Sequence, residues 1–175
     1  MLKNTAENDT SGRCTVKWGV CGCGRVAHDF VTAMHSRSQG GRVIAVGDIP
    51  QFQENAAKFA KEKGIFRVYS SFEDVGLDPD VDVVYVAVIN SLHYDVASML
   101  LRRKKNVLVE KPCALKSAHV RDLIDLAREN DCFLMEVLLC MITTPIIRGL
   151  HAVKVCVVFV IFSGVNVGGH QSTPL

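Results

Sequence analysis

Apolar residues recur along this chain with two alternating periods. Val16, Trp18 and Val20 alternate over residues 16–21, the period of a strand. Residues 25–36 then carry Val26, Phe30, Val31 and Met34 at helical spacing. The pattern repeats as a strand at 42–48 (RVIAVGD) and a helix at 51–63, with Phe52, Ala56, Phe59 and Ala60 on one face. A short strand at 66–69 and a helical turn at 71–75 follow. Residues 82–88 (DVVYVAV) are nearly all apolar, as a parallel strand covered on both faces requires. A helix at 91–103 turns Val96, Met99 and Leu100 inward, and 106–110 (NVLVE) is the next strand. Ser117 is placed to cap a helix that buries Val120, Leu123, Ile124 and Ala127. Residues 132–136 (CFLME) form the last strand of the series.

This alternation predicts an α/β fold with a doubly wound parallel sheet, because right-handed crossovers place helices on both faces. The series occupies residues 16–137 and is read as one domain. Residues 1–15 are polar, carry no apolar stretch of the secretory kind, and are expected to form a flexible leader. Past Val137 the alternation stops. Residues 138–175 hold one β-branched run, 153–162, and a Gly/Ser/Pro/Asn-rich end, and are expected to be a poorly specified tail.

At 175 residues, with 49% apolar and 22% charged positions, the chain supports one good-sized globular core. A net charge of +2 is too small to argue for a nucleic-acid or membrane surface. The basic cluster Arg102 to Lys105 falls where a helix ends, and cations suit that end of the helix dipole. Seven cysteines are scattered without a C-x-x-C pair, so no metal site is expected and free thiols in a reducing compartment are. No apolar run approaches the ~20 residues of a membrane helix. The default expectation is a soluble, cytoplasmic protein.

The first strand runs into Gly22-Cys23-Gly24-Arg25-Val26-Ala27, a G-x-G-x-x-A at a strand–helix junction. Gly22 permits a tight turn, Gly24 lets a pyrophosphate approach the backbone, and Ala27 lets the helix pack closely. The helix N-terminus would then present free N–H groups and a positive dipole end to phosphate. Its place at the first strand–helix junction of an alternating chain predicts the dinucleotide-binding corner of a Rossmann sheet, the alternative being a merely structural glycine turn. Asp48 closes the second strand near the spacing, about 20 residues, expected for the acid that holds adenosine ribose hydroxyls. An acid there repels a 2′-phosphate; the same residue could equally be a turn aspartate before Pro50. Glu110-Lys111-Pro112 follows the fifth strand, whose C-terminal end faces the ligand crevice. Lys111 could hydrogen-bond a substrate hydroxyl or the nicotinamide ribose, with Glu110 orienting it. Asn90 and His93, in I-N-S-L-H, follow the fourth strand on a loop that faces the crevice: Asn90 could meet cofactor or cap the helix, and His93 could meet cofactor or be a packing or surface residue.

Four segments, VKWGVCGCGRVAHDF, VDVVYVAVINSLH, KNVLVEKPCAL and DCFLMEV, together resemble the N-terminal domain of the Gfo/Idh/MocA oxidoreductases. The W-G-V start, H-D-F and F-L-M-E are similar in particular to the branch that oxidises dihydrodiols and D-xylose. The resemblance implies an NAD(P)-dependent oxidoreductase moving hydride between nicotinamide and a carbinol of a sugar or cyclic diol. It implies that Gly22, Gly24 and the Cys23, Arg25 and Val26 backbone bind pyrophosphate, that Asn90 and Glu110 contact cofactor, that Lys111 is the active-site lysine, and that His93 packs near the same crevice. That branch carries an arginine after the second strand that suits NADP; here Asp48 stands without one, so NADP and NAD both remain open. Family members also carry a second, substrate-binding domain with a proton donor. Too little chain follows Val137 for that domain, so a truncated form without it is expected, either an oxidoreductase by ancestry or a catalytically incompetent nucleotide-binding module. The partners implied are the nicotinamide dinucleotide, a small sugar or diol, and a second subunit in a homo- or heterodimer.

Overall fold

The computed structural model describes residues 15–36, 41–143 and 153–163. The expected leader lies outside them except for Thr15, and so does most of the region past Thr143. The strands are β1 (Lys17–Cys21), β2 (Arg42–Gly47), β3 (Arg67–Tyr69), β4 (Val83–Val86), β5 (Asn106–Glu110), β6 (Leu134–Thr143) and β7 (Val153–Ser163). The helices are α1 (Arg25–His35), α2 (Gln53–Lys63), α3 (Phe72–Leu77), α4 (His93–Arg102) and α5 (Ser117–Glu129). Strand order is β3-β2-β1-β4-β5-β6-β7. The first six strands are parallel, which is the expected doubly wound α/β sheet, and β7 runs antiparallel to β6.

The continuous apolar strands are explained by cover on both faces. Within β4, Val84 and Val86 join the core under α3, α4 and α5, with Leu100, Leu101 and Leu123. Tyr85, between them, points to the other face and joins Val31 and Phe59 from α1 and α2. Strand β5 divides likewise, Val107 and Val109 against Leu108. The direction of winding reverses between β1 and β4, so a crevice opens at their C-terminal ends.

At the opposite edge, the start of β3 and the loop before β4 are tied by charge. Nη1 of Arg67 donates to both carboxylate oxygens of Asp78 (2.9 and 2.8 Å) and its Nη2 to Asp80 (2.6 Å). The Tyr69 hydroxyl donates to Asp78 (3.1 Å), and Lys105 Nζ caps the carbonyls of Asp78 and Val81.

Several expectations are corrected. The helix expected at 51–63 divides into a 3-10 turn, Pro50–Phe52, and α2. Proline starts such a turn without losing a hydrogen bond, and Phe52, 50% exposed, leaves the buried face that Ala56, Phe59 and Ala60 form. Val26 is 40% exposed, because Ala27 and Val31 take the buried face of α1. Ser117 is the first helical residue of α5; Lys116 takes the cap position and no side chain caps it. Val120, Ile124 and Met99 are only half-buried. The last parallel strand continues to Thr143, and the β-branched run in the expected tail is strand β7. An antiparallel partner returning on itself extends β6, and nothing in the run's own period names that partner.

Candidate coenzyme site

The turn after β1 is held on both sides by the sheet. The Gly22 N–H donates to Gly47 O (2.9 Å) and the Ala87 N–H to Cys21 O (2.8 Å). Gly22 has φ +93°, and a Cβ there would lie 2.7 Å from Ala87 O, so the fold itself demands glycine. Gly24 is different. Its backbone is extended (φ −74°, ψ 179°), and a Cβ would meet nothing within 4 Å. Protein packing does not require glycine there; the space above it is open to a ligand. Gly24 also occupies the cap position of α1, with no side-chain cap and no acid in the first turn. Arg25 and the exposed Val26 therefore present a helix N-terminus to that space.

Asp48 is 8% exposed and is aimed by backbone amides. Its Oδ2 accepts from Cys23 N–H (3.0 Å) and its Oδ1 from Ile49 N–H (2.9 Å). Gln53, on α2, steadies the turn by donating to the carbonyls of Asp48 (2.8 Å) and Tyr69 (3.1 Å). A cavity of about 320 Å³ opens above, lined by Gly22, Gly24, Asp48, Ile49, Phe52 and Ile89 among others. Asp48 thus braces the turn and also lines the cavity. Burial, then the Asp48 carboxylate, push the Cys23 thiol up to about 12, so it stays protonated in this corner.

The other half of the site lies past β4 and β5. Asn90 is exposed, opens a 3-10 turn (Asn90–Leu92) and caps neither that turn nor α4. Lys111 is exposed, in a turn with a cis Lys111–Pro112 bond. Glu110 points inward instead. It is 7% exposed, accepts from the Tyr85 hydroxyl at 2.5 Å, and accepts from the Lys111 backbone N–H at 3.3 Å. It thus orients the Lys111 backbone, with no ion pair to its ammonium among the described residues. His93 is fully buried, with Nδ1 2.7 Å from Pro112 O and Nε2 3.0 Å from Val88 O. The structure therefore brings the glycine turn, Asp48, Asn90 and Lys111 to one crevice edge, and sets Glu110 and His93 beneath it.

Sequence reasoning missed Tyr85 and Phe52 as site residues. The signal for Tyr85 was a hydroxyl in an otherwise aliphatic run, which needs a buried partner. Among the described residues no group of three or more His, Cys, Asp or Glu could hold a metal ion, and no helix is long and apolar enough to cross a membrane.

A parallel sheet with a glycine turn, a helix N-terminus and an acid after β2 defines a dinucleotide-binding domain. The family profile of the Gfo/Idh/MocA oxidoreductases, described as NAD-binding with a Rossmann fold, matches residues 16–137, and the chain belongs to this family. It is 45% identical over 121 residues to trans-1,2-dihydrobenzene-1,2-diol dehydrogenase of Xenopus laevis, covering 69% of this chain and 36% of the relative. The chain thus spans about a third of the length of the curated relatives it matches. Among solved structures it resembles a 3-ketoreductase from Actinomadura kijaniata in complex with TDP-benzene and NADP (TM-score 0.64, 28% identity, 70% of this chain and 38% of that one). It also resembles biliverdin reductase from Synechocystis in complex with biliverdin and NADP+ (TM-score 0.62, 31% identity, 68% and 36%).

Proposed function

We propose that this chain binds a nicotinamide dinucleotide, NAD in preference to NADP, and forms the coenzyme half of an oxidoreductase acting on a carbinol of a sugar or cyclic diol. The observation that carries the reading is the open space above Gly24, a glycine the protein's own packing does not require. The pyrophosphate would lie against the Gly22–Gly24 backbone and the first turn of α1. Asp48, already held by two amides, would accept from the adenosine ribose hydroxyls and repel a 2′-phosphate. No arginine stands in α2 or the turn before it to offset that repulsion. Phe52 and Ile89, exposed at the cavity rim, offer apolar cover for the base. The bound coenzyme supplies hydride transfer, and this chain's residues orient it.

Lys111 is the residue we assign to the substrate side. Its exposed ammonium can hydrogen-bond a substrate hydroxyl and move a proton with a second acid–base group. Calorimetric titration of the purified chain tests the reading. NAD should bind at least tenfold more tightly than NADP, and Asp48→Ala should narrow that ratio. Equal affinity for the two coenzymes, unchanged by the substitution, refutes the role of Asp48. A second assay follows coenzyme reduction with D-xylose and with dihydrodiols. Turnover above blank assigns catalysis to this chain; binding without turnover assigns it the role of a nucleotide-binding module.

A further inference from the structure

We infer that His93 is a positioning residue that clamps the exits of β4 and β5 together and so sets the place of Lys111 at the nicotinamide end of the crevice. The inference rests on the coenzyme reading above. The imidazole is fully buried, so it does not reach a ligand. Each ring nitrogen stands at hydrogen-bond distance from a backbone carbonyl, Pro112 O at 2.7 Å and Val88 O at 3.0 Å. The two carbonyls belong to different crossovers. Val88 lines the cavity on the β4 side, and Pro112 directly follows Lys111.

The turn that carries Lys111 is held from three directions. The buried Glu110 carboxylate accepts the Lys111 N–H from below (3.3 Å). Glu136, on β6, accepts the Cys113 N–H (3.2 Å). His93 supplies the third hold: a neutral imidazole carries one N–H and donates to one of the two carbonyls, and the imidazolium donates to both. The clamp stands on a rigid base, since His93 is the first residue of α4 and that helix is anchored by buried Val96, Leu100 and Leu101. Releasing the ring would leave two carbonyls without it and let the Lys111 turn shift against Asn90. Among the described residues, no hydrogen bond joins His93 to β1, β2 or α1, which build the adenosine half of the site.

This asymmetry makes the test. NADH and ADP-ribose share the adenosine half, and ADP-ribose lacks the nicotinamide. Dissociation constants for both are measured by calorimetry on wild type, His93→Leu and His93→Gln, with nicotinamide emission followed for NADH. Wild type should bind NADH more tightly than ADP-ribose. His93→Leu should weaken NADH about tenfold, the size of one or two net hydrogen bonds, and leave ADP-ribose within twofold. Glutamine, which can still reach one carbonyl, should recover part of the loss. A proportional loss of both ligands, or no loss of either, overturns the clamp. So does equal affinity of wild type for the two ligands. If His93→Leu does not fold, the NADH to ADP-ribose ratio of His93→Gln decides alone, and an unchanged ratio overturns the inference. Failure of wild type to bind either ligand refutes the coenzyme reading itself.

Discussion

Gly24→Ala separates the demands of the fold from those of the ligand. The added methyl would meet no protein atom within 4 Å, and the backbone there (φ −74°, ψ 179°) is open to any residue. Two stability effects oppose each other. Alanine restricts the unfolded chain, a gain of about 0.4–1 kcal/mol. It is also a poorer helix cap than glycine, a loss of about 0.5–1 kcal/mol. The net change is under about 1 kcal/mol, or a melting shift within about 4 °C for a chain of this size. Binding answers differently. A methyl over the turn holds the pyrophosphate away from the backbone and removes one or two charge-assisted hydrogen bonds, each worth about 1.5–3 kcal/mol. A tenfold change in affinity corresponds to about 1.4 kcal/mol, so NAD affinity should fall at least tenfold. Gly22→Ala is the control. With φ +93° and Ala87 O 2.7 Å from the new carbon, it should lower the melting temperature by several degrees before any ligand is added. The assays are calorimetric titration with NAD and a thermal melt of each variant. Wild-type NAD affinity in a well-folded Gly24→Ala protein would refute the assignment of the turn to pyrophosphate.

Three further outcomes follow from the same structure. Burial alone would raise Asp78, but hydrogen bonds from Arg67, the Asp80 amide and Tyr69 outweigh it and hold the carboxyl below its ordinary range. Its contribution is therefore complete above the unfolded value, about pH 4, and fades as pH falls through the lower folded value. Asp78→Ala should cost about 2 kcal/mol at pH 7, discounted for the 41% exposure of Arg67, and the gap to wild type in denaturant melts should narrow in acid. All three tyrosines sit above their ordinary range, Tyr85 and Tyr69 first through burial and Tyr94 first through its bond to Asp122. Ultraviolet titration of the native protein should accordingly show tyrosinate forming at higher pH than in the unfolded chain, and ordinary titration of Tyr85 would contradict its buried bond to Glu110. Lys111→Ala should abolish turnover when this chain is joined to a relative's substrate domain and leave ADP-ribose affinity unchanged; retained activity would remove Lys111 from the mechanism.

Most of the crevice was legible in the linear order of residues. The glycine turn, Asp48, Asn90 and Lys111 each follow a strand directly, and the C-terminal ends of parallel strands share one edge. Where a side chain points was not legible. Glu110 and Lys111 are neighbours, yet one is buried against Tyr85 and the other is exposed. His93, read beforehand as either a cofactor contact or a packing residue, finds its two partners 5 and 19 residues away.

Sequence by itself determined the layers of this protein, because period 2 and period 3.6 record which faces a strand or helix buries, and each is a local property. It also determined the glycine turn after β1, because Gly22 and Gly24 act through their own backbones. Only the tertiary structure decided the partners: the pairing of β7 with β6, the departure of Phe52 from its helix, and the inward turn of Glu110. Those depend on what lies across the sheet or the crevice, and contacts between distant segments leave no period in the chain.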